Sequence, residues 1–151
     1  MMQDSAIIER RHTRFKKTVC ESEIVYALKN NQGFATSVSN HFEDEKGNPT
    51  TIICFWAEKS LAKSCIKNEW SDYNVCEISL PDFIENWCIG MENEGLLIGT
   101  EFDQNMFGFE ADPLELIIEL IMELKTARKN INLRKFDDLT DLEKQIKAIL
   151  E

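Results

Sequence analysis

Along the first third of the chain, apolar residues pass from helical to alternating spacing. In "SAIIERRHTRFKKTVCES", Ile7, Ile8, Arg11, Phe15 and Val19 gather near one face, with charge opposite and Ser5 placed as an N-cap, which predicts an amphipathic first helix. "EIVYALKNNQGFATSV" then runs apolar through Ile24, Val25, Tyr26 and Leu28, breaks at Asn-Asn-Gln-Gly and resumes at Phe34, a hairpin signal with a slightly long loop. The polar, turn-rich "SNHFEDEKGNP" reads as a mobile connection. "TTIICFW" has the composition of a central strand and completes a three-stranded meander near residue 57.

After Trp56 the period returns to that of a helix, with Leu61, Ala62, Cys65 and Ile66 on one face of "AEKSLAKSCIKN". Trp56 is expected to pin this helix onto the sheet. "NVCEISL" reads as a strand. "SLPDFIENWCIGMEN" reads as a helix capped by Ser79, with Pro81 in its first turn, Asp82 complementing its dipole, and Phe83, Ile84, Trp87, Cys88 and Met91 on one face. Gly95 stops that helix, and "GLLIGTEF" and "MFGFEA" pair as strands across "DQN". Two helices close the chain: "DPLELIIELIMELKTARKN" starts at a cap and Pro113, and "TDLEKQIKAIL" carries a Thr140 to Glu143 capping box. In the first of these, Glu115, Glu119 and Glu123 form one narrow stripe and apolar residues cover most of the rest. A surface helix needs only about 100° of apolar arc, so the 114–124 segment is expected to be buried on two sides, either between the sheet and the last helix or in a homodimer.

This order predicts a single α+β domain, with an antiparallel or mixed sheet of about five to six strands and helices packed on it. Residues 1–128 form the body; 129–151 are a linker and a C-terminal amphipathic helix that packs on the same body. At 151 residues, 43% hydrophobic and 29% charged, the chain has an ordinary globular composition and needs no staples. "MMQDSAIIERRHTRF" lacks the apolar stretch of an export signal, and glutamates break the longest apolar run. The expectation is a soluble cytoplasmic protein with no membrane association.

Candidate chemistry is sparse. Cys20, Cys54, Cys65, Cys76 and Cys88 make no CxxC pair and read as reduced thiols; His12 and His41 lack ligand spacing and read as surface histidines. Ser60, Ser64 and Cys65 are nucleophiles by type, with no histidine nearby and no G-x-S-x-G or P-loop pattern. No catalytic, cofactor or metal site is therefore expected. Arg10, Arg11, Arg14, Lys16 and Lys17 fall on the first helix, but a net charge of −10 disfavours nucleic acid. A basic helix edge paired with the protein's own acidic surface accounts for them better. Between Asn68 and Leu124 there are fourteen acidic residues and no lysine or arginine. If folding gathers Asp82, Glu85, Glu92, Glu94, Glu101, Asp103 and Glu110, the surface formed suits a basic protein partner.

The succession "RFKKTVCESEIVYALKNNQGFA", "ICFWAEKSLAK" and "ISLPDFIENWCIGMENEGLLIG" resembles a bacterial family known as domain of unknown function 2750, over about residues 10 to 124. The pattern there is a first helix, a Glu-x-Val/Trp-x-Leu strand, a Gly-Trp/Phe-Ala return, an apolar strand ending near Trp, and an Ile-x-Leu-x-x-Phe helix before Gly-Leu-Leu. Ala57 stands where that pattern has proline, and Tyr26 where tryptophan is common. The resemblance implies no activity. In layout the chain is also similar to the N-terminal domain of SseB-type secretion-enhancer proteins, which implies a binding module. The expected function is thus a non-enzymatic protein-binding module, regulatory or immunity-type. The alternative is a small-molecule-binding or catalytic domain using the region of Trp56, Trp70 and Trp87.

Overall fold

The structure, a computed structural model, describes residues 5–151; the first four residues of "MMQDSAIIERRHTRF", where no export signal is expected, lie outside that range. Helix α1 (Ser5–Ser22) leads into β1 (Ile24–Asn30), β2 (Gly33–Phe34), β3 (Thr36–Glu43) and β4 (Pro49–Trp56). Ser5 is itself helical and therefore does not take the N-cap position expected of it. A short α2 (Lys59–Ser64) and a 3-10 turn (Asn68–Trp70) precede β5 (Asn74–Ser79). Helix α3 (80–94) follows, then β6 (Leu97–Thr100), β7 (Phe109–Ala111), α4 (Pro113–Thr126) and α5 (Leu139–Leu150).

The seven strands form one mixed sheet in the order β2-β1-β4-β6-β7, with β3 on β4 and β5 on β1. All pairings are antiparallel except β4 with β6, where Ile52 to Phe55 run alongside Leu97 to Thr100. The fold is therefore α+β, a single domain with helices packed on the sheet, as the apolar spacing predicts. The strand count exceeds the expectation because the return after Gly33 is two strands. The polar 39–43 segment is strand and not a mobile loop: β3 lies at an edge, so it needs no buried face, and Val38 and Phe42 remain 56% and 54% exposed.

Alternation along β4 divides the core. Phe55 faces α1, α3, α4 and α5, whereas Ile52, Cys54 and Trp56 face α2 and Phe102. Trp56 is fully buried and meets Trp70 edge-to-face at 6.0 Å, with Ala62 and Cys65 in the same cluster, so it does hold α2 to the sheet. Trp87 belongs to the opposite face, edge-on to Phe34 and Phe55. The three tryptophans therefore do not line one region.

Local chemistry sets the helix limits. Ser79 accepts the Asp82 N–H as N-cap of α3, and Gly95 ends that helix at φ 74°. Between them Phe83–Cys88 is π-helical, one residue wider than the α period, which the apolar spacing does not reveal. Asp112 caps α4 through the N–H groups of Leu114 and Glu115. Helix α5 is capped by Asp138, which accepts the Asp141 N–H; Thr140 lies inside the helix, and Glu143 bonds Lys125 and Lys147 instead of closing a capping box. Leu114, Leu116, Ile117, Leu120, Ile121 and Leu124 are buried, while Met122 is 60% exposed. The chief neighbours of α4 are α1, α3 and α5; other helices, more than the sheet, flank it beside the last helix, and its wide apolar arc is covered within the chain.

Candidate functional site

Two features stand out from the structural background. The first is a groove of about 480 Å³ where the β3–β4 hairpin meets the start of α4. Glu43, Glu92, Glu110, Asp112 and Glu115 line it together with Phe42, and no lysine or arginine does. Local bonds fix its walls. Ser39, in the bulged part of β3, accepts the N–H groups of His41 and Phe42 and donates to Glu110. Burial first, and then Asp112 and Glu115, raise the Glu92 carboxyl above its usual range, against the lowering effect of a bond from the Leu114 backbone. The groove thus gathers negative charge without internal compensation by cations, the condition under which a cationic partner gains most from docking.

The second is the exit of the parallel pair β4 and β6, whose carboxyl ends open on one side of the sheet, a place where ligand crevices form in α/β sheets. Thr100 and Glu101 are 0% and 2% exposed. Glu101 sits at φ 55°, a left-handed conformation that costs a non-glycine residue about 1–3 kcal/mol and persists only where its surroundings impose it. They do so here. The Glu101 N–H donates to Phe55 O, and its Oε1 accepts the Ala57 N–H at 2.7 Å, a bond that proline at that position lacks the hydrogen to make. Phe102 O accepts from Trp56 Nε1 at 2.8 Å and from the Cys65 thiol at 3.3 Å. The Phe102 ring lies against both Gly99 and Gly108; a Cβ at Gly108 would come within 2.1 Å of it. Burial raises the Glu101 carboxyl above its usual range, the Ala57 N–H and Arg14 opposing this. A cleft of about 280 Å³ lined by Arg14, Glu58, Ser60, Leu61, Ser64 and Glu101 opens beside it.

The seven acidic residues singled out in the sequence are distributed as follows. Glu92 and Glu110 share the acidic groove. Glu94 lies on a separate depression beside Trp87. Asp82 accepts from Asn86 at the start of α3, and Glu85, 3% exposed, accepts the backbone N–H groups of Arg134 and Lys135. Asp103 pairs with Arg11 at 3.1 Å, and Glu101 is buried in the strand exit. Glu43, Asp112 and Glu115 complete the groove, although the spacing of acidic residues along the chain does not single them out and the position of Asp112 before Pro113 points only to a helix cap.

His12 is a correction. It is 3% exposed and not a surface histidine; its Nδ1 meets Thr100 Oγ1 at 2.8 Å, its Nε2 meets Glu119 Oε1 at 3.3 Å, and its ring stacks on Phe109 at 3.9 Å. The three residues form a carboxylate–imidazole–hydroxyl chain, but Thr100 is sealed from solvent and the chain ties α1, β6 and α4 together. Lys16 adds to Glu119, so with Arg11 on Asp103 two of the five basic residues of α1 pair with acids among the described residues. Burial raises all five thiols, Cys20 to about 12, the opposite of what a nucleophilic cysteine requires. Among the described residues, no group of three or more His, Cys, Asp or Glu is arranged to hold a metal ion, and no helix is long and apolar enough to cross a membrane.

Among curated proteins and solved structures nothing matches the chain, and the likeness to SseB-type proteins is not shown. Residues 12–120 match the family described as "Protein of unknown function (DUF2750)". That match covers most of the chain, including both strands of the exit and the walls of the acidic groove from Phe42 to Glu115, and the chain belongs to the DUF2750 family.

Proposed function

We propose that this is a bacterial, cytoplasmic, non-enzymatic protein-binding module of regulatory or immunity type that receives a basic segment of a partner in the groove beside the β3–β4 hairpin. The supporting observation is the lining itself: five carboxylates around a half-exposed Phe42, with no cation among them. An aromatic anchor within a rim of one charge combines apolar contact with electrostatic steering, and the encounter rate falls as salt screens the field.

Glu43 and Glu115 are exposed, as is Phe42, so charge reversal and truncation there leave the core intact. The test is affinity capture from cells of the source organism with the wild type, the Glu43→Lys/Glu115→Lys double variant and Phe42→Ser. The expected outcome is a basic partner retained at low salt by the wild type and lost from both variants. A captured set that is the same for all three proteins removes the groove as the docking surface.

A further inference from the structure

The cleft at the strand exit has no part in the docking groove, yet its geometry is that of a built site. Glu101 is 2% exposed, and while Oε1 is held by the Ala57 N–H, Oε2 has no hydrogen-bond partner among the described residues. Every fully buried side-chain oxygen among those residues is partnered, so Oε2 is the oxygen that opens onto the cleft. A buried residue held in a left-handed backbone conformation thus lines an open cleft at the carboxyl ends of two parallel strands, with one carboxylate oxygen left unpartnered.

We propose that this cleft binds a small zwitterion of the amino-acid class, its ammonium group on Glu101 Oε2 and its carboxylate on Arg14. The lining decides between ligand charges. Two carboxylates, Glu101 and Glu58, face one guanidinium, Arg14. A simple anion meets excess negative charge, and a simple cation leaves the Arg14 fork unmatched, whereas a molecule carrying both groups satisfies both ends. Ser60 and Ser64 add hydroxyls to the wall, and because Ser64 Oγ donates to Leu61 O at 2.6 Å its lone pairs remain available to an incoming ammonium. The volume of about 280 Å³ lies just below the range of about 300–1,000 Å³ for pockets that take drug-sized ligands, which matches a ligand of few heavy atoms.

The reporters are built in. The Ala57 amide touches Glu101, and the Trp56 indole N–H touches the next carbonyl. L-alanine, ethylamine and propionate are titrated separately into isotope-labelled protein, each to about 50 mM, with both resonances followed. L-alanine should give saturable shifts at Ala57 and Trp56, with ethylamine and propionate each at least about tenfold weaker. Arg14→Ala, a change at an exposed residue, should erase the preference for alanine over ethylamine. Glu101→Gln keeps an acceptor for the Ala57 N–H and should weaken alanine binding about tenfold or more. The proposal is overturned by the absence of a saturable shift, by ethylamine binding as well as alanine to the wild type, or by an unaltered preference in Arg14→Ala.

Discussion

Glu85→Ala removes the oxygen that holds the backbone N–H groups of Arg134 at 2.8 Å and Lys135 at 2.7 Å. The segment between α4 and α5 has no helix or strand of its own, so its path depends on a few attachments: this carboxylate, the Lys129 amine on α1, and the partly buried Ile131, Leu133 and Phe136. A hydrogen bond to a charged group contributes about 1.5–3 kcal/mol. Two such bonds are lost, but Arg134 and Lys135 are exposed and their freed N–H groups recover part of the loss in water. A net cost of about 2–4 kcal/mol follows, and at about 2–4 °C per kcal/mol for a chain of this length the melting temperature should fall by about 5–15 °C. Glu85→Gln retains one acceptor oxygen of the same shape and should lose less than half as much. Native-state hydrogen exchange supplies the local readout: the Arg134 and Lys135 amides should lose protection in the alanine variant well before the amides of β1 and β4. A melt for Glu85→Ala within about 1 °C of wild type, or unchanged protection at both amides, would refute the latch.

Gly108→Ala places a methyl where the Phe102 ring lies and should cost about 1–3 kcal/mol, moving the Trp56 indole resonance because Phe102 O is its acceptor; an unmoved resonance with an unchanged melt would show that the ring is not wedged. Glu101 has its carboxyl raised by burial, so its contribution to stability is fully present below the ordinary glutamate value of 4.5 and is lost as pH rises through the raised value. Glu101→Gln, a permanent mimic of the neutral form, should therefore melt higher than wild type at pH 7, with the gap closing toward pH 4; a gap that widens on acidification contradicts the sign. Glu119 is lowered first by its bond to His12 and then by Lys16, and supplies stability above 4.5 that disappears as pH falls through the lowered value. Glu119→Gln should narrow its deficit against wild type in acid melts, and a deficit independent of pH argues against that pairing.

How much of this is legible in the sequence depends on whether the cause is local. The caps Ser79, Asp112 and Gly95 are readable because each acts within a few residues of itself. The burial of His12 is legible in its spacing, three residues before Phe15 and seven before Val19 on the buried stripe, although its polarity points to the surface. The polarity of β3 hides it from a pattern of apolar alternation, since an edge strand can expose residues on both faces. The acidic groove could be anticipated only in part, because its walls come from the β3–β4 hairpin, α3 and α4 and meet through pairing that no periodicity encodes. The strand exit is further from reach still. The Glu101 conformation depends on the parallel pairing of β4 with β6, on a ring seated between Gly99 and Gly108, and on the N–H of Ala57.

The first helix is finished by the far end of the chain. Glu119 meets His12 across 107 positions, and the Lys129 amine takes the carbonyls of Cys20 and Glu21, the latter across 108. During synthesis at about 5–20 residues per second, those partners are translated roughly 5–20 s after α1 itself. Throughout that interval Phe15, Val19 and Cys20 lack the α4 and α5 side of their core. The nascent chain therefore offers an uncovered apolar helix beside the ribosome until α4 and α5 have been made, a substrate for a holding chaperone and a reason for products cut short before them to aggregate.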